Sequence, residues 1–236
     1  MRNKKIIFYT IILIFLCVLI YCFYNIKKYY LEHLQIQKVT KEMIKTYYNP
    51  INNKINFNKM KKINDEIVGW IKVENTNINY PFVQTDNNEY YLTHFIDKSY
   101  NKIGTVFLDY RNNINNLDQN NILYAHGRMD KTMFGSLRNV LRKKWFDETN
   151  DKNIYLYTEN GYYIFKIFSV YKIKTTDDYL KINFNNDFPK FIRLIKSRSI
   201  YNFNVNVENH DKIITLSTCY NKDYKIVIHG KLIEDS

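Results

Sequence analysis

Cysteine is almost absent from this chain: there are three in 236 residues, and Cys17 and Cys22 both fall inside an apolar stretch near the N-terminus. A disulfide framework is thereby excluded from the remainder, where Cys219 stands alone. Glycine is scarce as well, at six residues, and no glycine-rich phosphate loop occurs. No cluster of side chains has metal-ligand spacing and no nucleic-acid motif is found, so the expected chemistry involves no metal, no cofactor and no nucleic acid. Internal repeats and disordered linkers are missing too.

What is present begins with an uncharged apolar run from Ile6 to Phe23. As a helix rising about 1.5 Å per residue it covers roughly 27 Å, enough for the hydrocarbon core of a bilayer. A cleaved signal peptide would need a small-residue cleavage site, yet Tyr21-Cys-Phe-Tyr-Asn-Ile-Lys-Lys28 holds no Ala or Gly. The segment therefore reads as a retained membrane anchor. Arg2, Lys4 and Lys5 precede it and Lys27 and Lys28 follow, so the positive-inside bias toward a cytoplasmic N-terminus is one charge. Without the five basic residues of this segment, 30 basic face 23 acidic side chains, a net of +7. Outside a cell such a surface is drawn to anionic wall polymers or lipid head groups, although a plain solvated surface has the same composition.

The rest suits one globular domain with a helical lead-in. From Tyr30 to Tyr48 apolar residues recur at helical spacing until Asn49-Pro50, and a second short helix is expected over Asn58 to Ile63. From Trp70 the period changes. Trp70 to Val73, Ile78 to Val83, Thr105 to Leu108 and Ile122 to Ala125 read as short strands. Met133-Phe134, Leu137 and Val140-Leu141 predict one amphipathic helix. Ile154 to Thr158 and Tyr162 to Ile173 flank Asn160-Gly161, a hairpin signal, and Asp187 to Ser197 reads as a helix with Pro189 in its first turn. Asp211 to Thr218 and Tyr224 to Ile233 form a closing hairpin. Many short strands around few helices predict a mainly β fold, a closed or nearly closed barrel.

Cys219 comes where the run from Asp211 opens into polar Tyr220-Asn-Lys-Asp223. A lone thiol is either an inert buried side chain or a reactive group, and the strand-end position favours the second. A cysteine nucleophile works with a proton-transfer partner, most often histidine. Of five histidines, His33 is expected to be solvent-facing on the membrane-proximal helix. His94 and His210 fall in turns, and His229 lies in the last strand, where it would sooner hydrogen-bond to a neighbouring element than catalyse. His126 differs, ending the Ile122–Ala125 strand and opening the loop Gly127-Arg-Met-Asp130. Both it and Cys219 are strand-end residues that could converge at one barrel rim. By alternation Lys225, Val227 and His229 share one face of the last strand, and the hairpin returns Lys225 toward Cys219. A solvated edge lysine is the plain alternative.

Together these blocks resemble a sortase, specifically class B, from about Val68 to Leu232. Val68-Gly-Trp-Ile-Lys-Val73, Thr76-Asn-Ile-Asn-Tyr-Pro81, Asp86-Asn-Asn-Glu-Tyr-Tyr-Leu92 and Gly104-Thr-Val-Phe-Leu-Asp-Tyr-Arg111 resemble its N-terminal blocks in order. Tyr124-Ala-His126 through Leu137 is similar to the histidine block, and Thr215-Leu-Ser-Thr-Cys219 with Ile226 to Leu232 to the nucleophile and closing strands. The resemblance implies a membrane-anchored cysteine transpeptidase of Gram-positive bacteria with an eight-stranded β-barrel. It divides the chain into a cytoplasmic tail and transmembrane anchor (1–28), a helical extension (29–66) and a catalytic barrel (67–236). Its expected partners are surface proteins bearing a C-terminal sorting motif and a peptidoglycan precursor amine. It gives Cys219 the nucleophile's role and His126 the acid/base role, and it places Asn88, Leu92 and Ser217 along the substrate groove.

One position departs from the pattern. Where the family carries an arginine on the last strand, this chain has Lys225, and no arginine follows Cys219. Lysine keeps the charge but loses the planar two-donor fork, and Arg128 beside His126 is the other candidate for that role. No lid-like extension points to pilin polymerisation. Two rival readings remain: a cysteine endopeptidase releasing to water, and a non-catalytic wall-binding protein with Cys219 buried.

Overall fold

The structure, a computed structural model, describes residues 2–49 and 54–235. Two compact units result, Met1–Glu42 and Met43–Ser236. Helix α1, Arg2–Tyr47, runs unbroken through residue 28, where the sequence suggested a boundary between anchor and extension. It is long and apolar enough to cross a membrane, with no buried residue in its apolar window. His33 is half-buried on it rather than solvent-facing. Pro50, expected to help end this helix, lies outside the described residues; Tyr48–Asn49 instead pairs as a two-residue strand with Lys54–Ile55. The short helix expected near residue 58 is α2, Phe57–Met60, capped by the Asn56 side chain.

Eight strands form a closed barrel: β1 Ile67–Val73, β2 Asn79–Val83, β3 Val106–Leu108, β4 Asn120–Tyr124, β5 Asn153–Thr158, β6 Tyr162–Lys174, β7 Ile213–Cys219 and β8 Tyr224–Asp235. Around the barrel they run β8-β6-β5-β1-β2-β3-β4-β7, and β7 closes onto β8. Neighbours are antiparallel except β2/β3 and β4/β7. Closure leaves no edge for another chain to extend. Inward residues such as Ile71, Phe82, Leu123, Phe165, Leu216 and Ile228 are completely buried, and they supply the apolar area that holds the barrel shut.

The Asn160-Gly161 hairpin forms as expected, with Tyr157 paired to Tyr162. Helix α5, Phe188–Ser197, also forms, and its Phe188, Phe191, Ile192 and Ile195 pack with Phe168, Tyr171 and Tyr179 outside the barrel. The single amphipathic helix expected after Met133 does not. Met133 itself has φ 50° and forms a β-bridge with Gly127, while the Phe134 N–H donates to the His126 carbonyl at 3.1 Å. Folding the loop back onto His126 in this way leaves room only for a 3₁₀ turn, Phe134–Ser136, and a short α3, Leu137–Val140. A further helix, α4 Lys143–Glu148, carried no periodic signal that set it apart.

Candidate active site

Strand β7 ends on Cys219, and the chain turns through four residues into β8. Asn221 makes so short a turn possible: its Oδ1 accepts from the N–H groups of Asp223 (3.0 Å) and Tyr224 (2.9 Å). With the turn fixed, Lys225 becomes the direct cross-strand partner of Cys219. Partners in register point to the same face, and Lys225 Nζ lies 3.1 Å from Cys219 Sγ. The thiol is exposed, which removes the buried-cysteine reading.

The parallel pairing of β4 with β7 sets Tyr124 opposite Ser217 and carries His126 to the same rim. Thr218 Oγ1 donates to the Ala125 carbonyl at 2.7 Å. Gly127 packs so tightly that a Cβ there would sit 1.8 Å from the Cys219 carbonyl oxygen, so no other residue fits without moving the nucleophile's backbone. His126 is thus held between two residues that each touch the Thr218–Cys219 segment. Arg138 closes this clamp. Its Nη2 donates to the carbonyls of Gly127 and Tyr220, and its guanidinium stands 4.3 Å from the Tyr220 ring centroid. The Lys172 ammonium lies 4.7 Å from that ring, so Tyr220 is flanked by two cations. Nothing in the sequence distinguished Arg138 from the other basic residues of its segment.

The His126 ring is oriented by Leu92, whose carbonyl lies 2.8 Å from Nε2. A carbonyl only accepts, so Nε2 carries the hydrogen and Nδ1 is the basic nitrogen of the neutral ring. Leu92, expected in the groove, therefore also serves through its backbone. Asn88 engages both ends of its amide: Nδ2 donates to Asp109 Oδ2 at 3.1 Å, and Oδ1 accepts from the Tyr110 N–H at 3.1 Å. Among the described residues no hydrogen bond joins it directly to Cys219, His126 or Lys225. Ser217 is buried, its hydroxyl 3.0 Å from that of Tyr179.

Asp109 is the hub on this side, and the sequence reading passed over it. Completely buried, it accepts from Tyr124 Oη (2.8 Å) and from Arg111 Nε (2.8 Å) and Nη2 (2.7 Å), besides Asn88. Burial opposes its ionisation, yet the Arg111 and Tyr124 hydrogen bonds outweigh that and hold its pKa below the usual carboxylate range. Asp109 thus fixes both Asn88 and Tyr124, two residues before His126.

Arg128, the alternative to Lys225, is engaged elsewhere. Its Nη2 and Nε lie 2.8 and 3.1 Å from Asp130 Oδ2, and both side chains are largely buried. Burial works against the Asp130 charge, but hydrogen bonds from Arg128 and Thr132 bring its pKa down to about 2. His94 stacks on Tyr90 at 3.9 Å with Nδ1 2.8 Å from the Tyr90 carbonyl, and His210 stands near Glu208 and Asp211. His126 has both chain neighbours, Ala125 and Gly127, against the Thr218–Cys219 segment.

A closed barrel presenting a lone strand-end thiol, with a cation and an oriented imidazole at its rim, defines a cysteine enzyme built for acyl transfer. The sortase domain model matches residues 71–233. The chain is 36% identical over 249 residues to Sortase B of Staphylococcus aureus (strain NCTC 8325 / PS 47), with 100% of each covered. To Sortase B of Listeria monocytogenes serovar 1/2a it is 38% identical over 182 residues, covering 74% of this chain and 72% of that one. Its fold matches the Staphylococcus aureus sortase B–substrate complex with a TM-score of 0.72 and 34% identity, over 84% of this chain and 94% of the other. The chain belongs to the sortase family, in its class B branch. It is accordingly a cysteine transpeptidase, and the expected eight-stranded barrel is the one observed.

Proposed function

We propose that residues 1–28 anchor this sortase in the membrane with the N-terminus cytoplasmic, that residues 29–66 lead outward, and that residues 67–236 work outside the cell. There the barrel joins surface proteins bearing a C-terminal sorting motif to an amine of a peptidoglycan precursor. Cys219 attacks the carbonyl carbon of a threonine in the motif, and a C–S bond forms. The tetrahedral oxyanion is stabilised by backbone N–H groups and by the Lys225 charge. On collapse the C–N bond breaks, and protonated His126 Nδ1 gives its proton to the departing amine. In the second half the incoming amine loses a proton to Nδ1 and attacks the thioester, and Cys219 leaves with the electron pair of the C–S bond. Asn88, Leu92 and Ser217 line the groove beside these groups, the first two through the elements that also hold His126.

One observation carries this assignment: Lys225 Nζ at 3.1 Å from Cys219 Sγ, in cross-strand register. A solvated edge lysine would not be directed at the only thiol of the barrel. The test is full-length protein in detergent, given a panel of sorting-motif peptides with and without an added amine, with mass detection. Transpeptidation gives an acyl-enzyme and an amine-dependent product. Product that forms equally without an amine would favour an endopeptidase. Topology is checked by adding protease to intact cells, which should degrade the chain from about Tyr30 onward; protection of the whole chain until lysis would place the barrel inside.

A further inference from the structure

Arginine and lysine present the same charge, but a lysine amine is also a competent acyl acceptor. In this chain the cation beside the nucleophile is a lysine, and its Nζ is 3.1 Å from Cys219 Sγ. Its position is set by backbone. Lys225 pairs with Cys219 on one side and with Ile173 on the other, so β8 is held between two strands at this residue. The turn before it is closed by the Asn221 side chain and by the Tyr220 N–H to Tyr224 carbonyl bond of 2.8 Å. The two pairings keep the Lys225 Cα in register with Cys219.

We propose that Lys225 is an internal acyl acceptor: when no external amine arrives, the acyl group on Cys219 migrates to Lys225 Nζ and ends that molecule's turnover. The inference rests on Cys219 being the nucleophile. In the thioester the acyl carbon is one bond from the sulfur that the amine already touches, so rotation about the Cys219 and Lys225 side-chain bonds can bring nitrogen and carbon into the roughly 3–3.5 Å range of a near-attack arrangement. Acylation also turns the sulfur into a neutral thioester, and the Lys225 ammonium passes one proton to the neutral His126 Nδ1, the group that deprotonates an external amine in the proposed cycle. The amine lone pair then attacks the carbonyl carbon, a C–N bond forms, and the C–S bond breaks with its electron pair on sulfur. The second amine proton passes to that thiolate. The products are a free Cys219 thiol and an amide on Lys225, with no change in oxidation state. An amide is far less reactive toward amines and thiols than a thioester, so the transfer does not run back.

External amine and Lys225 therefore compete for one intermediate. A filled acceptor site protects the enzyme, and an empty one inactivates it. This makes the transpeptidase self-limiting in the absence of wall precursor, a property an arginine at the same place would not confer.

The experiment uses full-length protein in detergent and a small acyl donor, an aryl thioester of an N-acetylated dipeptide, which loads a reactive cysteine by thiol exchange without any sorting motif. After incubation without amine, half the sample is treated with hydroxylamine, which cleaves thioesters but not amides. Intact-mass and peptide mapping should find a hydroxylamine-resistant adduct on Lys225, at least tenfold above the level at any other lysine. K225R and C219A should both lack that adduct while melting within a few degrees of the parent. An adduct on Cys219 that stays fully hydroxylamine-labile overturns the inference and leaves the nucleophile assignment standing. A resistant Lys225 adduct that persists in C219A overturns it too, since the donor then acylates the lysine directly. Absence of any adduct on Cys219 or Lys225 in the parent, with no labile Cys219 adduct in K225R either, overturns the nucleophile assignment, and the inference with it.

Discussion

Two histidines of one barrel show how the same side chain is made either available or inert. His229 sits in the middle of β8, completely buried. Its Nδ1 lies 2.8 Å from Thr215 Oγ1, which itself donates to Asn120 Oδ1 at 2.7 Å, so Nδ1–H donates to the threonine. Its Nε2 then accepts from Tyr171 Oη at 2.9 Å. Both nitrogens are used, and burial, aided by the charge of Arg198, lowers its pKa from 6.5 to about 3. His126 lies just past the end of its strand, half-buried, with one nitrogen fixed on the Leu92 carbonyl and the other left for proton transfer. Strand interior against strand end is the difference. In the interior, neighbouring strands satisfy every polar atom; at the end, one side opens to substrate.

The comparison is broken most completely at the sulfur. Cys219→Ala should abolish acyl-enzyme formation with the fold intact, because an exposed thiol contributes little packing. Activity near that of the parent in a peptide-cleavage assay would remove the whole assignment. Next comes the available histidine. His126→Ala should lower kcat by about 10²–10⁴-fold, the usual range for a general acid–base group, whereas His94→Gln should lose far less. Equal losses at both positions would mean the strand-end argument selected the wrong ring.

The cation should matter somewhat less. Lys225→Ala is expected to cost about 10²–10³-fold in kcat, as for loss of an oxyanion donor, with little change in melting temperature. Lys225→Arg should retain or raise turnover if the four-residue turn leaves room for the larger head. Silence at Lys225 together with a damaged Arg128→Ala would move the role to the loop beside His126.

The inert histidine gives the smallest effect on rate and a distinct effect on stability. His229→Gln should change turnover by only a few-fold and cost about 1–3 kcal/mol, since Thr215 and Tyr171 lose a buried partner. It should also alter the pH dependence. Between 6.5 and about 3 the unfolded chain binds a proton at His229 that the folded chain refuses. Stability contributed by the neutral ring is therefore full above that window and falls as pH drops through it, by up to about 1.4 kcal/mol per unit. Urea unfolding from pH 7 down to pH 4 should show a slope in the parent that His229→Gln reduces by that amount.

Much of this site was legible because it is local. Cys219 at a strand end, His126 at another, and His229 as a hydrogen-bonding rather than catalytic ring all follow from alternation and from where polar residues interrupt it. The surroundings of Asn88 and Ser217 are not local in this way. Their partners, Asp109 and Tyr179, are 21 and 38 residues away, and no short-range pattern marks such pairs. Arg138 escaped notice for the same reason: its two carbonyls belong to loops that meet only in the closed barrel. The helix expected from Met133 to Leu141 was broken by the bridge from Gly127 to Met133, a tertiary contact that outweighed helical periodicity.

By itself the sequence determined the elements: an apolar helix of membrane-spanning length, short strands, two tight hairpins and a single thiol beyond the helix. Each of these depends on residues a few positions apart, where side-chain period and turn chemistry act directly. Tertiary structure alone decided which strand ends meet. The parallel pairing of β4 with β7 joins segments about 93 residues apart, as Thr218 and Ala125 are, and brings His126 beside Cys219. Such closure is selected by the burial of the whole apolar interior at once, a collective free energy that no local stretch of the chain encodes.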